Sequence, residues 1–258
     1  FRYASGIAGT MTTITVTAIV EPIIAVRDSI GDDHGPNQRG VENKFITYPT
    51  NIAFVPGGFD LTSLTVFETV ANVSGAQVEM IAFQVGIRDF PDPNDPGTAN
   101  WSPLYADMNI EKIDILIDSA PGGATAGLPR RQAGFQPRDA WDYAIIMDGW
   151  YKAVIPSLGQ NTVDSWRDNA LRTDKDIQLI GDPELNTVTA LVSKAALGNP
   201  TAKEIADWDL VVCMSSHDFG GEEVLGGIRW VNLTTSEWNF GGGQSGDRDA
   251  NLIDLILV

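Results

Sequence analysis

The fold of this chain is decided by two neighbouring runs, Leu64-Thr65-Val66-Phe67-Glu68-Thr69-Val70 and Val78-Glu79-Met80-Ile81-Ala82-Phe83-Gln84-Val85-Gly86-Ile87. Both are short and rich in β-branched and aromatic residues, which favour strands. Runs of the same kind follow at residues 110–117, 144–147, 187–192 and 209–213. Glycine, proline and aspartate clusters separate them, a spacing typical of a sandwich rather than of alternating strands and helices. The sequence therefore predicts an all-β, antiparallel β-sandwich.

Helical and loop segments are few and well separated. One short helical turn is predicted at residues 200–206. Two long segments, residues 90–109 and 119–138, are polar and rich in proline and glycine. Loops of such length in a folded domain are usually functional or held by a metal ion.

Length and charge limit the classes of protein that the chain can represent. Its 258 residues suffice for one large all-β domain, and we expect one, residues 23–258, preceded by an N-terminal strand segment, residues 1–22. The net charge is −17, with 34 acidic against 17 basic residues. Nucleic acids and anionic membranes attract basic surfaces, so neither is an expected partner. Cys213 is the single cysteine and is predicted to be a small buried hydrophobe in a strand.

The C-terminal run argues against membrane insertion. Leu252-Ile253-Asp254-Leu255-Ile256-Leu257-Val258 is far shorter than the roughly 20 apolar residues that a spanning helix needs, and it contains an aspartate. It predicts a closing core strand. The chain begins at Phe1, which suits an exported protein whose leader has been removed, although a shortened sequence would begin in the same way.

An acidic turn follows the apolar run at residues 23–26. Asp28, Asp32 and Asp33 place three carboxylates within six residues, next to glycines that permit tight backbone paths. Such carboxylates repel one another unless they are solvated or neutralised by a hard cation, and calcium is the natural candidate. The spacing is not that of an EF-hand. A calcium site and a solvated acidic turn therefore both remain open.

A second candidate for calcium ligands lies in the first long loop. Asp92 and Asn94 belong to Asp92-Pro93-Asn94-Asp95-Pro96-Gly97, which places carboxylate and amide oxygens at alternate positions before a glycine. The same residues also suit an ordinary turn, and that interpretation is the stronger of the two.

The seven tryptophans raise the question of sugar binding, because an aromatic ring stacks well on the apolar face of a pyranose. Trp101 lies in a polar loop, while Trp150 and Tyr151 adjoin a glycine at the end of a strand, so we expect these three to be accessible. The large aromatics of sandwiches more often fill cores. Trp141, Trp208, Trp230 and Trp238 are therefore predicted to pack.

No arrangement of residues selects a catalytic site. Ser215-Ser216-His217-Asp218 places serine, histidine and aspartate next to one another along the chain, and adjacent residues of a strand point to opposite faces. The chain is predicted not to be an enzyme.

The N-terminal segment is strongly β-forming and nearly uncharged. From Thr10 to Val20, one face carries Ile14, Val16, Ala18 and Val20, and the other is mostly threonine. Such a strand can pair with an edge of its own sandwich. Alternatively, it can insert into the sheet of the next subunit, with these four residues as subunit contacts, and so form a head-to-tail filament.

Several blocks of the sequence, taken in order, resemble the C-terminal domain of glucodextranase, a family similar to family 9 carbohydrate-binding modules and DOMON domains. They are Gly31-Asp32-Asp33, Tyr48-Pro49-Thr50, Pro56-Gly57-Gly58-Phe59-Asp60-Leu61, Asn100-Trp101-Ser102-Pro103, Trp141-Asp142-Tyr143-Ala144-Ile145 and Trp238-Asn239-Phe240-Gly241-Gly242-Gly243. The resemblance covers about residues 23 to 258. It implies a non-catalytic, secreted, calcium-binding jelly-roll or DOMON-like β-sandwich, in which Asp60 and Asp142 are drawn towards the ion of Asp32 and Asp33.

Two hypotheses for the function follow from these observations. The first is an extracellular, calcium-stabilised structural protein of the cell surface that binds copies of itself through residues 1–20. The second is a carbohydrate-binding module that attaches to polysaccharide or to the cell surface. The resemblance favours the second hypothesis, and the N-terminal strand favours the first, which is narrowly preferred on the sequence alone.

Overall fold

The computed structural model describes residues 21–35, 46–90, 103–131, 134–218, 225, 227–243 and 250–258. Ten strands form two antiparallel sheets of five. The first sheet has the order β1-β2-β3-β8-β7. Its strands are β1 (Ile24–Arg27), β2 (Leu61–Val73), β3 (Ala76–Ile87), β7 (Ile177–Asp182) and β8 (Thr187–Ser193).

The second sheet has the order β10-β9-β4-β5-β6. Its strands are β4 (Glu111–Asp118), β5 (Tyr143–Asp148), β6 (Lys152–Pro156), β9 (Asp209–Ser216) and β10 (Asp254–Leu257). All neighbouring pairs in both sheets are antiparallel. The predicted all-β antiparallel sandwich is confirmed, and β10 is the closing strand expected from the C-terminal run.

Two short α-helices connect the strands. Helix α2 (Ala202–Ala206) falls within the predicted helical turn. Thr201 and Glu204 form a capping box at its start, which satisfies backbone N–H groups that have no partner within the helix. Helix α1 (Val163–Asn169) was not predicted, because at seven residues it is too short to show a helical period in the sequence.

Strand alternation separates the residues of β4 into two sets. Ile113, Ile115 and Ile117 are fully buried between the sheets, where they join one core with residues of the first sheet such as Leu64 and Val66. Because successive side chains of a strand point to opposite faces, Lys112, Asp114 and Leu116 face away from that core.

The outer face of the second sheet is also covered. Leu116 and Ile146 pack beneath Trp141 and Trp166, whose ring centroids are 5.2 Å apart. Trp166 comes from α1, and Trp141 ends the long connection between β4 and β5. Both tryptophans are buried, as is Trp208. Part of the connection between β4 and β5 therefore packs over a small second core on the outer face of the second sheet.

Parts of the chain that carry sequence predictions lie outside the described residues. They include Ile14, Val16, Ala18 and Val20 of the N-terminal strand, so strand donation stays a prediction. Within the part of the chain that the structure describes, no helix is long and apolar enough to cross a membrane. Cys213 is buried in β9, as the sequence predicts.

Truncating a side chain in the middle of the sandwich tests this core. Ile115 is fully buried, and we expect Ile115→Ala to lower the free energy of unfolding by about 2–5 kcal/mol, since it leaves a cavity between the sheets. Urea unfolding followed by circular dichroism measures the change. Leu185→Ala is the control, because Leu185 is 65% exposed in the turn between β7 and β8 and its loss is expected to cost about 0.5 kcal/mol or less. Equal losses for the two variants would contradict the placement of the core.

Candidate metal centre and aromatic surfaces

Three aspartates from two distant parts of the chain meet where the edges of the two sheets approach. One carboxylate oxygen each from Asp28, Asp32 and Asp254 lies within 4.8 Å of the others. Asp28 follows β1 of the first sheet, Asp32 lies in the turn after it, and Asp254 begins β10 of the second sheet. We call these three residues the aspartate cluster. Its members come from both layers of the sandwich.

The turn that carries Asp28 and Asp32 is held by backbone hydrogen bonds. Gly31 adopts a positive φ of 87°, a conformation that favours glycine, and its N–H donates to Asp60 Oδ2 at 2.7 Å. The N–H of Gly35 donates to the carbonyl of Ile253 at 2.8 Å. The turn is thereby fixed both to β2 and to the residue that precedes Asp254.

Asp254 is the member of the cluster that the sequence prediction missed. Its Oδ2 accepts a hydrogen bond from the N–H of Leu61 at 2.7 Å, and its Oδ1 accepts one from the N–H of Leu255 at 2.8 Å. A signal was present in the sequence, because an aspartate inside an apolar closing strand needs a partner once it is buried. The sequence alone did not identify that partner.

Two further aspartates flank the cluster. Asp60 is fully buried and accepts a hydrogen bond from Arg88 Nη1 at 2.7 Å. Asp33 is 4% exposed, and the hydroxyl of Tyr48 donates to its Oδ2. Of the predicted ligands at the acidic turn, the structure thus gathers Asp28 and Asp32 in the cluster and Asp33 and Asp60 beside it.

The electrostatics of this region oppose full ionisation. Burial and the charges of Asp32 and Asp28 raise the pKa of Asp254 to about 7. Burial also raises the pKa of Asp28, with a further contribution from Asp32, and that of Asp60, with contributions from Asp33 and Asp32. Arg88 offsets part of this negative charge at Asp60. A second positive charge at the cluster would stabilise the ionised form of these carboxyl groups.

The donor atoms suit a calcium ion. Asp28 Oδ2 and Asp60 Oδ1 are buried and accept no hydrogen bond from the residues that the structure describes, an arrangement that costs free energy unless a cation binds them. Calcium–oxygen bonds of 2.3–2.6 Å allow two ligands of one ion to lie up to about 5 Å apart, and the oxygens of the cluster fall within that distance. Hard carboxylate oxygens are the ligands that calcium prefers.

Asp142 does not join the cluster. Its Oδ2 accepts hydrogen bonds from the N–H and Oγ of Ser119 and from the N–H of Ala120 at 2.8–2.9 Å. The sheet register explains the separation, because Asp254 aligns through Met214 with Ile113 near the start of β4, whereas Asp142 lies opposite the other end of β4. Asp92 and Asn94 lie outside the described residues, and their role as ligands stays a prediction.

The predicted sugar-binding aromatics at the end of β5 are half-buried among charged groups. The ring of Trp150 lies 4.9 Å from that of His217, and the cations of Lys112 and Arg172 lie 5.9 and 5.3 Å from the ring of Tyr151. These neighbours already cover much of both rings. Trp101 lies outside the described residues, and its role in sugar binding stays a prediction.

A buried ion pair lies beneath these rings. Lys112 Nζ donates to Asp148 Oδ2 at 2.8 Å, and His217 Nδ1 contacts the same oxygen at 2.8 Å. Burial alone would raise the pKa of Asp148, but the charge of Lys112 and the hydrogen bond with His217 outweigh it and hold that pKa below its ordinary value. The pair satisfies a buried carboxylate, and this role is structural.

The exposure of Trp238 differs from the prediction. The sequence placed it among the packed tryptophans, yet it is 38% exposed. Its indole meets Phe54 edge to face, with ring centroids 6.2 Å apart. Trp230, also predicted to pack, is half-buried. Burial of a tryptophan in a loop depends on where the loop docks, and strand patterns do not report that.

Comparison with known proteins identifies the family. A search of curated proteins found no match. The family model of the C-terminal binding module of glucodextranase, described as SLH-like, matches residues 23–258. This range contains both sheets, the aspartate cluster and Trp238. The chain therefore belongs to the family of glucodextranase C-terminal binding modules.

Proposed function

We propose that this chain is a non-catalytic, extracellular polysaccharide-binding module whose fold is stabilised by calcium. The observation that carries the proposal is the match to a binding-module family across residues 23–258. The acidic net charge fits this role, since a neutral polysaccharide does not require a basic surface. Neither a nucleic acid nor membrane insertion is part of the proposal.

Calcium would be held by the aspartate cluster. Asp28, Asp32 and Asp254 supply the first oxygens, and the buried Asp60 Oδ1 supports a fourth. The ion would neutralise carboxylates that otherwise repel one another across the junction of β1, β2 and β10. Calcium thus acts on the scaffold, while side chains of the loops contact the sugar.

Strand donation is a separate hypothesis for the residues before the sandwich. The apolar alternation of Ile14, Val16, Ala18 and Val20 supports it. Deleting residues 1–20 tests it by light scattering: a head-to-tail polymer is expected to fall to monomers. A chain that is monomeric before the deletion contradicts the filament, and binding of polysaccharide is expected to survive the deletion.

Removal of calcium is expected to lower the thermal stability. A ligand that binds only the folded state at a thousandfold excess over its dissociation constant contributes ~4 kcal/mol. Scanning calorimetry with calcium and with a chelator measures the shift in Tm. Asp254→Asn and Asp28→Asn should abolish most of that shift, because each removes one charged ligand.

Asp142→Asn is the matched control for these variants. Asparagine keeps an oxygen that can accept the hydrogen bonds of Ser119 and Ala120, and Asp142 lies away from the cluster. Its response to calcium should equal that of the wild type. A lost response in Asp142→Asn, or an intact one in both cluster variants, would place the ion elsewhere.

The gain in stability from calcium should depend on pH. In the folded, metal-free protein Asp254 holds its proton up to about pH 7, whereas the unfolded chain releases it near the ordinary value of 3.8. The metal-free protein therefore loses stability as the pH rises from about 4 to 7, and below pH 7 calcium must displace that proton. We expect a larger calcium-induced rise of Tm at pH 8 than at pH 5. Equal shifts at the two pH values would show that Asp254 is not a ligand.

Binding of polysaccharide is tested directly by affinity electrophoresis. Native gels that contain dextran, starch, xylan or mixed-linkage β-glucan should retard the protein in at least one case when calcium is present. Serum albumin is the unretarded standard. Unchanged mobility in all gels, together with no binding to purified cell-wall polysaccharide, would refute the proposed function.

A further inference from the structure

Hydrogen bonds hold the backbone around Trp238. The carbonyl of Trp238 accepts one from Arg229 Nη1 at 2.8 Å. The preceding residues are tied to the segment at residues 50–51, since the N–H groups of Thr50 and Asn51 donate to the carbonyls of Ser236 and Glu237 at 3.2 and 3.0 Å. The backbone that carries the indole is therefore positioned before any ligand arrives, which reduces the entropy lost on binding.

Polar side chains lie on the loop that carries Trp238 and on the segment to which that loop is hydrogen-bonded. Asn51 Nδ2 donates to Glu237 Oε1 at 3.1 Å, and Asn239 Nδ2 donates to Ser236 Oγ at 3.2 Å. The hydroxyl of Thr235, also exposed, lies on the same loop. Amide, hydroxyl and carboxylate groups beside an aromatic face match the two sides of a sugar, whose C–H groups pack on the ring while its hydroxyls form hydrogen bonds.

Aromatic contacts connect Trp238 to the metal centre. The Tyr48 hydroxyl donates to Asp33, which flanks the aspartate cluster, and the Tyr48 ring meets Phe240 edge to face at 5.4 Å. Phe240 meets Phe54 in the same way at 5.4 Å, and Phe54 meets Trp238 at 6.2 Å. Phe240 and Phe54 are buried, so a displacement of Tyr48 is passed to closely packed neighbours.

We propose that Trp238 is the stacking platform of a subsite for a neutral sugar ring, and that Tyr48 links this platform to the metal centre so that calcium strengthens sugar binding. The proposal rests on the proposed function, since it names where the polysaccharide binds. Trp150 and Tyr151 are less suitable platforms, because His217 and two cations already lie against their rings.

The test measures affinity for the polysaccharide that retards the wild type most, with calcium and with a chelator. Trp238→Ala is expected to weaken binding at least about tenfold in calcium, because the stacking contact is lost. Its calcium-induced rise of Tm should match that of the wild type, since the indole of Trp238 supplies no oxygen ligand to the ion. Trp150→Ala is the matched control and should keep the affinity.

Two conservative variants separate the parts of the proposal. Trp238→Phe keeps an aromatic ring and should retain part of the affinity, which guards against a folding defect in the alanine variant. Tyr48→Phe keeps the ring but removes the hydrogen bond to Asp33, and it should make sugar affinity nearly independent of calcium. Calcium is expected to change the tryptophan fluorescence of the wild type. This change should be smaller in Trp238→Phe and in Tyr48→Phe.

Each outcome decides one part of the proposal. If the wild type binds polysaccharide and Trp238→Ala binds it equally well, the subsite is wrong while the proposed function stands. If Trp238→Ala loses affinity but Tyr48→Phe keeps the full effect of calcium, the link through Tyr48 is wrong. If the wild type binds no polysaccharide at all, the proposed function and the proposed subsite are both refuted.

Discussion

Repulsion among the carboxylates of Asp28, Asp32 and Asp254 is the constraint on which the junction of the two sheets depends. Backbone hydrogen bonds hold these groups together: Leu61 donates to Asp254, and Gly31 donates to the neighbouring Asp60. Apolar contacts alone can join the layers of a sandwich, and bringing negative charges together at the junction adds no stability by itself. A proton or a cation that neutralises part of the charge would make the arrangement more favourable, so we expect the stability of the edge where β1 and β10 approach to depend on pH and on cations.

The sequence predicted the sheets well because their signals are local. β-Branched runs and the turn residues between them define strands within windows of about ten residues, and the strands from β2 to β5 were found in this way. The acidic turn was found for the same reason, since Asp28, Asp32 and Asp33 are neighbours in the chain. Asp254 was missed because its partner Leu61 is 193 positions away, and no pattern in one sequence reports a contact of that range.

The tryptophans show a second limit of prediction from sequence. Trp141 and Trp208 are buried as expected, since large aromatic rings gain most from removal of their surface from water. Trp238 has the same chemistry but lies on a loop, and its exposure depends on how that loop docks against the segment at residues 47–54. Residue propensity predicts that a tryptophan is buried, whereas the backbone hydrogen bonds of Thr50 and Asn51 fix the loop on which Trp238 is exposed.

The position of Tyr48 would allow the proposed calcium site and the exposed ring of Trp238 to act together. Its hydroxyl is bound to Asp33, and its ring meets Phe59 and Phe240 edge to face, at 5.8 and 5.4 Å. Edge-to-face contacts are directional, so the ring cannot turn without disturbing both neighbours. Phe59 and Phe240 are fully buried and contact each other at 5.2 Å, which leaves little space to absorb a shift. Ordering of the acidic turn therefore favours one arrangement of the aromatic cluster, and the indole of Trp238 lies at the exposed end of that cluster.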